Sequence, residues 1–213
     1  MTQVRTQKDL VVLVADKNME FAIKGLLSRS QSFGINPLTY DIHVHIERDP
    51  GCFLKGHDFM RPFQRSHCYA LIIFDRQGCG REQMSRLLLE QEVEGRLDQS
   101  GWKDKKAAAI AIDPELENWV WSSSPHVDTV LGWKDRSPTL REWLARKNLF
   151  LETAAKPLNP KLAMEEALQA VGKPRSSSLY LQLTQRVSLE GCTDSAFLKF
   201  RQCLSSWFGV PNS

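Results

Sequence analysis

The sequence has no CxxC pair, no P-loop lysine pattern, no internal repeat and no long apolar run. Five cysteines are an odd number without metal-ligand spacing, which disfavours a disulfide framework or a structural zinc site and leaves mostly buried or half-buried thiols. The first apolar run, Leu10 to Ala15, stops at Asp16. It is too short for a signal-peptide core or for a membrane span of about twenty residues, so a soluble cytoplasmic chain without a membrane partner is expected. Excess charge is missing too. Lys and Arg number 28 against 25 Asp and Glu, a formal net charge of +3. The balance holds along the chain, with 16 basic and 15 acidic residues over 1–113, 5 and 5 over 114–150, and 7 and 5 over 151–213. Binding through phosphate contacts alone is therefore not expected, although a local basic patch remains compatible with these numbers. With 42% hydrophobic and 25% charged residues, the composition excludes a collagen-like or wholly disordered chain.

What is present reads as alternating strands and helices. Leu10–Ala15 is a β-branched run of the kind buried on both sheet faces. Met19, Ala22, Ile23, Leu26 and Leu27 then fall on one face of a helix, with Gly34 available to end the segment. Ile42, Val44 and Ile46 alternate with His43, His45 and Glu47 as in a half-buried strand. Asp49–Ser66, containing Gly and Pro, reads as an exposed loop. Tyr69–Phe74 is a second buried strand, followed by a helix from about Arg81 to Leu97 and a short strand from Ala107 to Ile112. Asp113-Pro114-Glu115 carries a helix-start signal: an N-cap acid, proline at the first turn, further acids behind it. Beyond Ser122 only helices are expected, at Thr139–Lys147, Lys161–Val171, Ser178–Val187 and Thr193–Phe208. The expected fold is α/β: a mainly parallel sheet flanked by helices over residues 1–121, with a helical portion over 122–213 packed on it.

Ligands of open parallel sheets bind beyond the carboxyl ends of the strands. Asp16 ends the first strand, Asp75 ends the third, and Asp113, Glu115 and Glu117 follow the fourth, so topology alone gathers acids at one edge. Such an edge suits a hard divalent cation. It equally suits a row of helix caps, a role open to Asp16 and Asp113. His43 and His45 share one strand face, with His57 and His67 close in sequence, but two imidazoles without a placed third ligand fall short of a metal site. Arg61, Arg65, Arg76, Arg81 and Arg86 either gather at the strand ends to hold phosphates or lie on solvated helix faces. Gly78 and Gly80 suggest a phosphate-cradling turn. Trp119, Trp121 and Trp133 can stack on bases, though Trp119 stands at helical spacing from Leu116 and suits a core.

The segment Val12-Leu-Val-Ala-Asp-Lys-Asn-Met-Glu-Phe-Ala resembles the opening strand and helix of TOPRIM domains, where an acid ends the first strand. Leu71-Ile-Ile-Phe-Asp-Arg-Gln-Gly-Cys-Gly is similar to that family's second motif, normally Asp-x-Asp followed by a small residue. Ile112-Asp-Pro-Glu-Leu-Glu-Asn-Trp and the closing segment Thr193-Asp-Ser-Ala-Phe-Leu-Lys-Phe resemble small TOPRIM-like proteins of bacterial mobile and defence loci, including methylation-associated ones. The resemblance implies Mg²⁺-assisted phosphodiester chemistry, with Asp16 as the general acid/base and Asp75 as a metal-binding acid; beside them, Glu20 is a candidate catalytic residue and Glu115, with Asp16 and Asp75, a candidate metal ligand, either able to compensate for a missing family acid. It departs from the family pattern at three positions. The family usually has Glu where Asp16 stands. The second Asp of the pair falls on Gln77, and the glycine usual after the first acid is Lys17.

Two functions from different classes follow. One is a TOPRIM-like component of an anti-phage defence system, processing DNA or RNA at an altered nuclease site, active or silent. The other is a non-enzymatic assembly subunit of a defence complex, meeting other subunits through the helical half, where Trp143, Phe150 and Trp207 supply aromatic anchors.

Overall fold

The computed structural model describes residues 7–104, 106–151, 153–188 and 192–210. Chain order is β1 (Lys8–Val14), α1 (Lys17–Leu27), α2 (Ser30–Phe33), β2 (Tyr40–Val44), α3 (Arg48–Met60), a 3₁₀ turn (Arg61–Arg65), β3 (His67–Asp75), α4 (Arg86–Gln99), β4 (Ala107–Ile112) and α5 (Glu117–Val120). There follow α6 (Pro125–Leu131), α7 (Leu140–Arg146), α8 (Pro160–Ala170), α9 (Ser177–Arg186) and α10 (Ser195–Phe208). The fold is α/β, with the four strands in the order β2-β1-β3-β4 and every neighbouring pair parallel. Val12 lies beside Ile42 on one side and Leu71 on the other, and Leu71 in turn beside Ala108. The two central strands are sealed, with Leu10–Val14 and Ala70–Phe74 wholly excluded from solvent. No helix among the described residues is long and apolar enough to cross a membrane.

A parallel sheet needs cover on both faces. Helices α3 and α4 pack on one face, against β1, β3 and β4. On the other, the strand-rich half supplies α1, and the helical half completes the cover: α9 lies along α1, and α10 crosses β4. The α1–α9 approach is close because Gly25 faces α9; a Cβ there would stand 2.0 Å from Thr184 Oγ1. Strand β4, Ala-Ala-Ala-Ile-Ala-Ile, is built of small residues and takes a helix on each face.

Both edges of such a sheet expose unpaired backbone groups. The β4 edge is covered from α4: Glu94 Oε1 accepts from Ala109 N at 3.0 Å, and Glu90 Oε1 from Ala111 N at 3.0 Å. Lys199 of α10 donates to both carboxylates, at 3.0 Å to Glu90 and 2.6 Å to Glu94, and Arg86 pairs with Glu90 at 2.5 Å.

Several boundaries differ from those expected. Residues 49–66 form α3 and a 3₁₀ turn, not a loop. The glycines there permit contact: a Cβ on Gly56 would stand 2.8 Å from Ile72 Cδ1, while Cys52, Phe53 and Met60 are buried beside it. Helix α4 begins at Arg86 with Ser85 as its cap, five residues later than expected from Arg81. Asp113 does not cap a helix. It precedes a cis peptide to Pro114, pairs with Arg76 at 2.9 Å, and α5 starts only at Glu117. Strand β2 stops at Val44, leaving Ile46 exposed. The four expected C-terminal helices all form, and α6 adds a fifth.

Glu90 is 1% exposed and serves a strand, its own helix and α10 at once. Its replacement in Glu90→Ala leaves Lys199 and the Ala111 amide without that carboxylate. A loss of about 3 kcal/mol or more is expected, as for a broken buried ion pair, read as the urea midpoint of the full chain.

Candidate functional site

A polar cleft of about 320 Å³ lies beyond the carboxyl ends of the strands. Asp16 reaches it from the end of β1, Asp49 from the first turn of α3 after β2, Asp75 as the last residue of β3, and Glu115 and Glu117 from the segment after β4. This edge is where the strand order reverses, between β1 and β3, the crevice at which open α/β sheets bind ligands. Arg48, Lys161 and Arg175 line the same cleft. Five acids against three bases make it formally negative in a chain that is positive overall.

Each acid is held differently. Asp16 caps α1, its Oδ1 accepting from Met19 N at 2.9 Å. Asp49 Oδ1 accepts the Asp75 backbone N–H at 2.7 Å and so fastens α3 to the end of β3. Asp75 Oδ1 is buried with no hydrogen-bond partner. Burial, and then the neighbouring charges of Asp49, Glu117, Glu115 and Asp16, push the Asp75 carboxyl well above the usual carboxylate range. Burial also raises Asp49, to about 6, with Asp16 adding to the shift.

The far wall is neutralised from the helical half. Glu115 pairs with Lys161 of α8. Glu117, 2% exposed, accepts from Arg175 Nη2 at 2.5 Å and from the Tyr180 hydroxyl at 2.5 Å. Arg175 Nε donates to the same Tyr180 oxygen at 2.7 Å, and its Nη1 to Glu165 at 3.0 Å. Ser177 at the start of α9 donates to Asn18 of α1 at 2.9 Å. The cleft is thus assembled jointly by both halves of the chain.

The structure brings Asp16, Asp75 and Glu115 together, with Glu117 beside them. Glu20 stands apart from the cleft lining. Its two carboxylate oxygens accept from Lys17 and Lys24, each at 2.6 Å, on the flank of α1. Burial alone would raise Glu20, but the two lysines outweigh it and hold it below its ordinary value. Asp49 belongs to the cleft although the sequence reading placed it in a loop. The available signal is Asp49-Pro50 after an alternating strand, which fits the first turn of a helix, where an acid and a proline are both favoured.

Other candidates resolve into packing. His43 lies against Phe59 and Phe63, His45 against Phe59, and His67 is fixed by Ser66 and Asp41. Among the described residues no group of three or more His, Cys, Asp or Glu side chains is placed to hold a metal ion. The Gly78 and Gly80 amides do not await a phosphate, because Glu82 Oε1 accepts from them at 2.9 and 3.1 Å. Arg61 and Arg65 precede β3 and so lie at the opposite end of the sheet, while Arg76 and Arg86 are paired with Asp113 and Glu90. Trp119, Trp121 and Trp133 are core residues whose indole N–H groups donate to Asp194, Pro160 and Ala167.

Comparison of this chain with protein-family models, with curated proteins and with solved structures gives no match.

The raised Asp49 has a thermodynamic signature. The folded state binds its proton more tightly than the unfolded chain, so the stability this confers is present below the unfolded value near 3.8 and is lost as pH rises through about 6. Asp49→Asn keeps an oxygen for the Asp75 N–H but cannot ionise. It is expected to match the wild type at about pH 4 and to exceed it above pH 6, by at most about 3 kcal/mol. Urea unfolding at several pH values checks this, and a constant difference across the range contradicts it.

Proposed function

We propose that the chain is a TOPRIM-like component of a bacterial anti-phage defence system, acting in nucleic-acid processing with a divalent cation at an altered site. The observation that carries this reading is the meeting of Asp16 and Asp75 at the carboxyl ends of the adjacent parallel strands β1 and β3. Those two residues match the acids of the motifs on which the resemblance rests. The donor set also suits Mg²⁺, which takes oxygen ligands and needs only one or two carboxylates beside waters and substrate phosphates. Asp75 Oδ1, buried without a partner, is the first candidate ligand, with Asp16 and Glu115 behind it. When bound, such an ion polarises a phosphoryl oxygen and lowers the pKa of its water.

The chain's own residues set the terms. Asp75 must give up the proton its burial favours before it can ligate. Arg48, exposed at the lip with φ +52°, stands where a phosphate would enter, while Lys161 and Arg175 are committed to Glu115 and Glu117. Gln77 lines the cleft as a neutral amide, which weakens the charge available to a cation. The internal pairing of the far wall favours a second reading, an assembly subunit that keeps the fold and has lost the chemistry.

Calorimetric Mg²⁺ titration of the wild type, Asp75→Ala and Gln77→Asp separates the two. The metal reading expects binding by the wild type, none by Asp75→Ala, and tighter binding by Gln77→Asp, about tenfold if the added carboxylate contributes about 1.4 kcal/mol. Three identical isotherms establish the assembly subunit.

A further inference from the structure

At the opposite, amino edge of the sheet lies a second polar cavity of about 380 Å³, whose walls include Gln64, His67, Tyr69, Gly101, Lys103 and Lys106. Its walls are tied together. Gln64 of the 3₁₀ turn donates to Ser100 O at 2.7 Å, and its amide presses on Gly101, whose Cβ would stand 2.9 Å away. His67 is fixed between Ser66 and Asp41, and half-buried Tyr69 stacks on Trp207 with ring centroids 4.9 Å apart and planes 18° from parallel, and meets Phe208 edge-on at 5.1 Å, while its remaining edge lines the cavity. Arg61 and Arg65 flank Gln64 on the same turn. These two arginines, Lys103 and Lys106 are all exposed, and among the described residues no carboxylate pairs with any of them. Lys8, nearby at the start of β1, is already neutralised by Asp41 at 2.6 Å. Asp104 is the one acid in the cavity wall. The rim of this cavity therefore carries more unpaired basic than acidic side chains, Asp9 at the start of β1 being held by Thr39.

We propose that this amino edge is a binding surface for single-stranded nucleic acid, with Arg61, Arg65, Lys103 and Lys106 on the phosphates and the Tyr69 side of the cavity receiving a base. Unpaired cations around an aromatic-bearing groove are the recurrent arrangement for sequence-tolerant single-strand binding, in which backbone charge supplies affinity and a ring accepts a base face. A duplex hides its base faces and gains nothing from the aromatic wall. The surface lies apart from the acidic cleft and does not depend on the metal reading.

Fluorescence anisotropy with a labelled oligonucleotide of about 20 nucleotides, single-stranded or as a duplex, tests the proposal in EDTA, where a silent magnesium site has no influence. Four phosphate contacts at about 0.7 each give a log–log salt slope near −3, or about 50-fold weaker single-strand binding from about 50 to about 200 mM salt. The quadruple variant Arg61→Ala, Arg65→Ala, Lys103→Ala, Lys106→Ala is expected to lose that affinity and flatten the slope. Each single variant, available if the quadruple does not fold, removes about 0.7 of slope. A control at exposed Arg81, Lys134, Arg146 and Arg186, each changed to Ala, is expected to bind as the wild type does. No wild-type binding, an equal loss in the control, an unchanged slope in the quadruple or single variants, or equal affinity for the duplex overturns the proposal. So does binding to phosphatidylserine vesicles but not to the oligonucleotide.

Discussion

Glu90 is the point on which both layers of the molecule depend. It arises from α4 on one face of the sheet, accepts an amide of the edge strand β4, and is held by Lys199 from α10 on the other face. Without α10 the α1 face of β4 would be bare, and without the carboxylates of Glu90 and Glu94 the edge amides of Ala109 and Ala111 would be open to a foreign strand. Burying a carboxylate is costly unless it is paired and hydrogen-bonded. Two cations and a backbone amide meet that condition here. The small side chains of β4 bring both helices near enough for it. The ion cluster, the alanine-rich strand and the cover provided by the helical half form one arrangement, so residues 122–213 complete the sheet's core.

The same coupling shapes the cleft. Parallel strands deliver their carboxyl ends to one edge, and here each strand end brings an acid with it. Such crowding is tolerable only when some of the charge is neutralised. On the β4 side this falls to Lys161 and Arg175, both from the helical half, with Tyr180 closing the Glu117 network. On the β1 and β3 side, among the described residues, no cation pairs with the acids, and burial drives the Asp75 carboxyl far up and Asp49 to about 6. On this side burial disfavours Asp75 and Asp49 as isolated anions.

The architecture was legible because it is written in long, strongly patterned segments. Leu10–Ala15, Tyr69–Phe74 and Ala107–Ile112 are continuous apolar runs separated by connections of helical length, and parallel pairing follows from that spacing. The acids at the ends of β1 and β3, with Glu115 behind them, were legible for the same reason, since a residue ending a parallel strand has only one edge to occupy. Two kinds of information were not. Gly51 and Gly56 read as loop residues although they serve close packing, because a sequence does not say whether a missing Cβ marks a bend or a contact; a Cβ on Gly51 would stand 2.0 Å from the His45 ring. With α3 misread, Asp49 was lost to the site. Ion-pair partners distant in sequence were equally hidden. Glu117 meets Arg175 and Tyr180 about sixty residues on, and no periodicity connects them.

On the proposed TOPRIM-like reading, Gln77 stands where a metal-binding motif carries a carboxylate, and its surroundings differ by more than that charge. Its backbone N–H donates to Pro114 O at 3.1 Å and that of Arg76 to Ile112 O at 2.7 Å, which prolongs the β3–β4 pairing past the strands themselves. Immediately afterwards Glu82 folds back onto the amides of Gly78 and Gly80, so the turn supplies its own anion. Helix N-termini and glycine turns attract phosphates because their N–H groups lack partners, and this turn has lost that property. On that reading the segment differs from a metal-and-phosphate motif in two independent ways: a neutral amide stands for a carboxylate, and Glu82 occupies the amides a phosphate would use. Restoring the charge at position 77 addresses only the first. The Glu82 carboxylate would still hold the turn, so on the proposed reading a phosphate entering the cleft would meet Arg48 at the lip and not the backbone after β3.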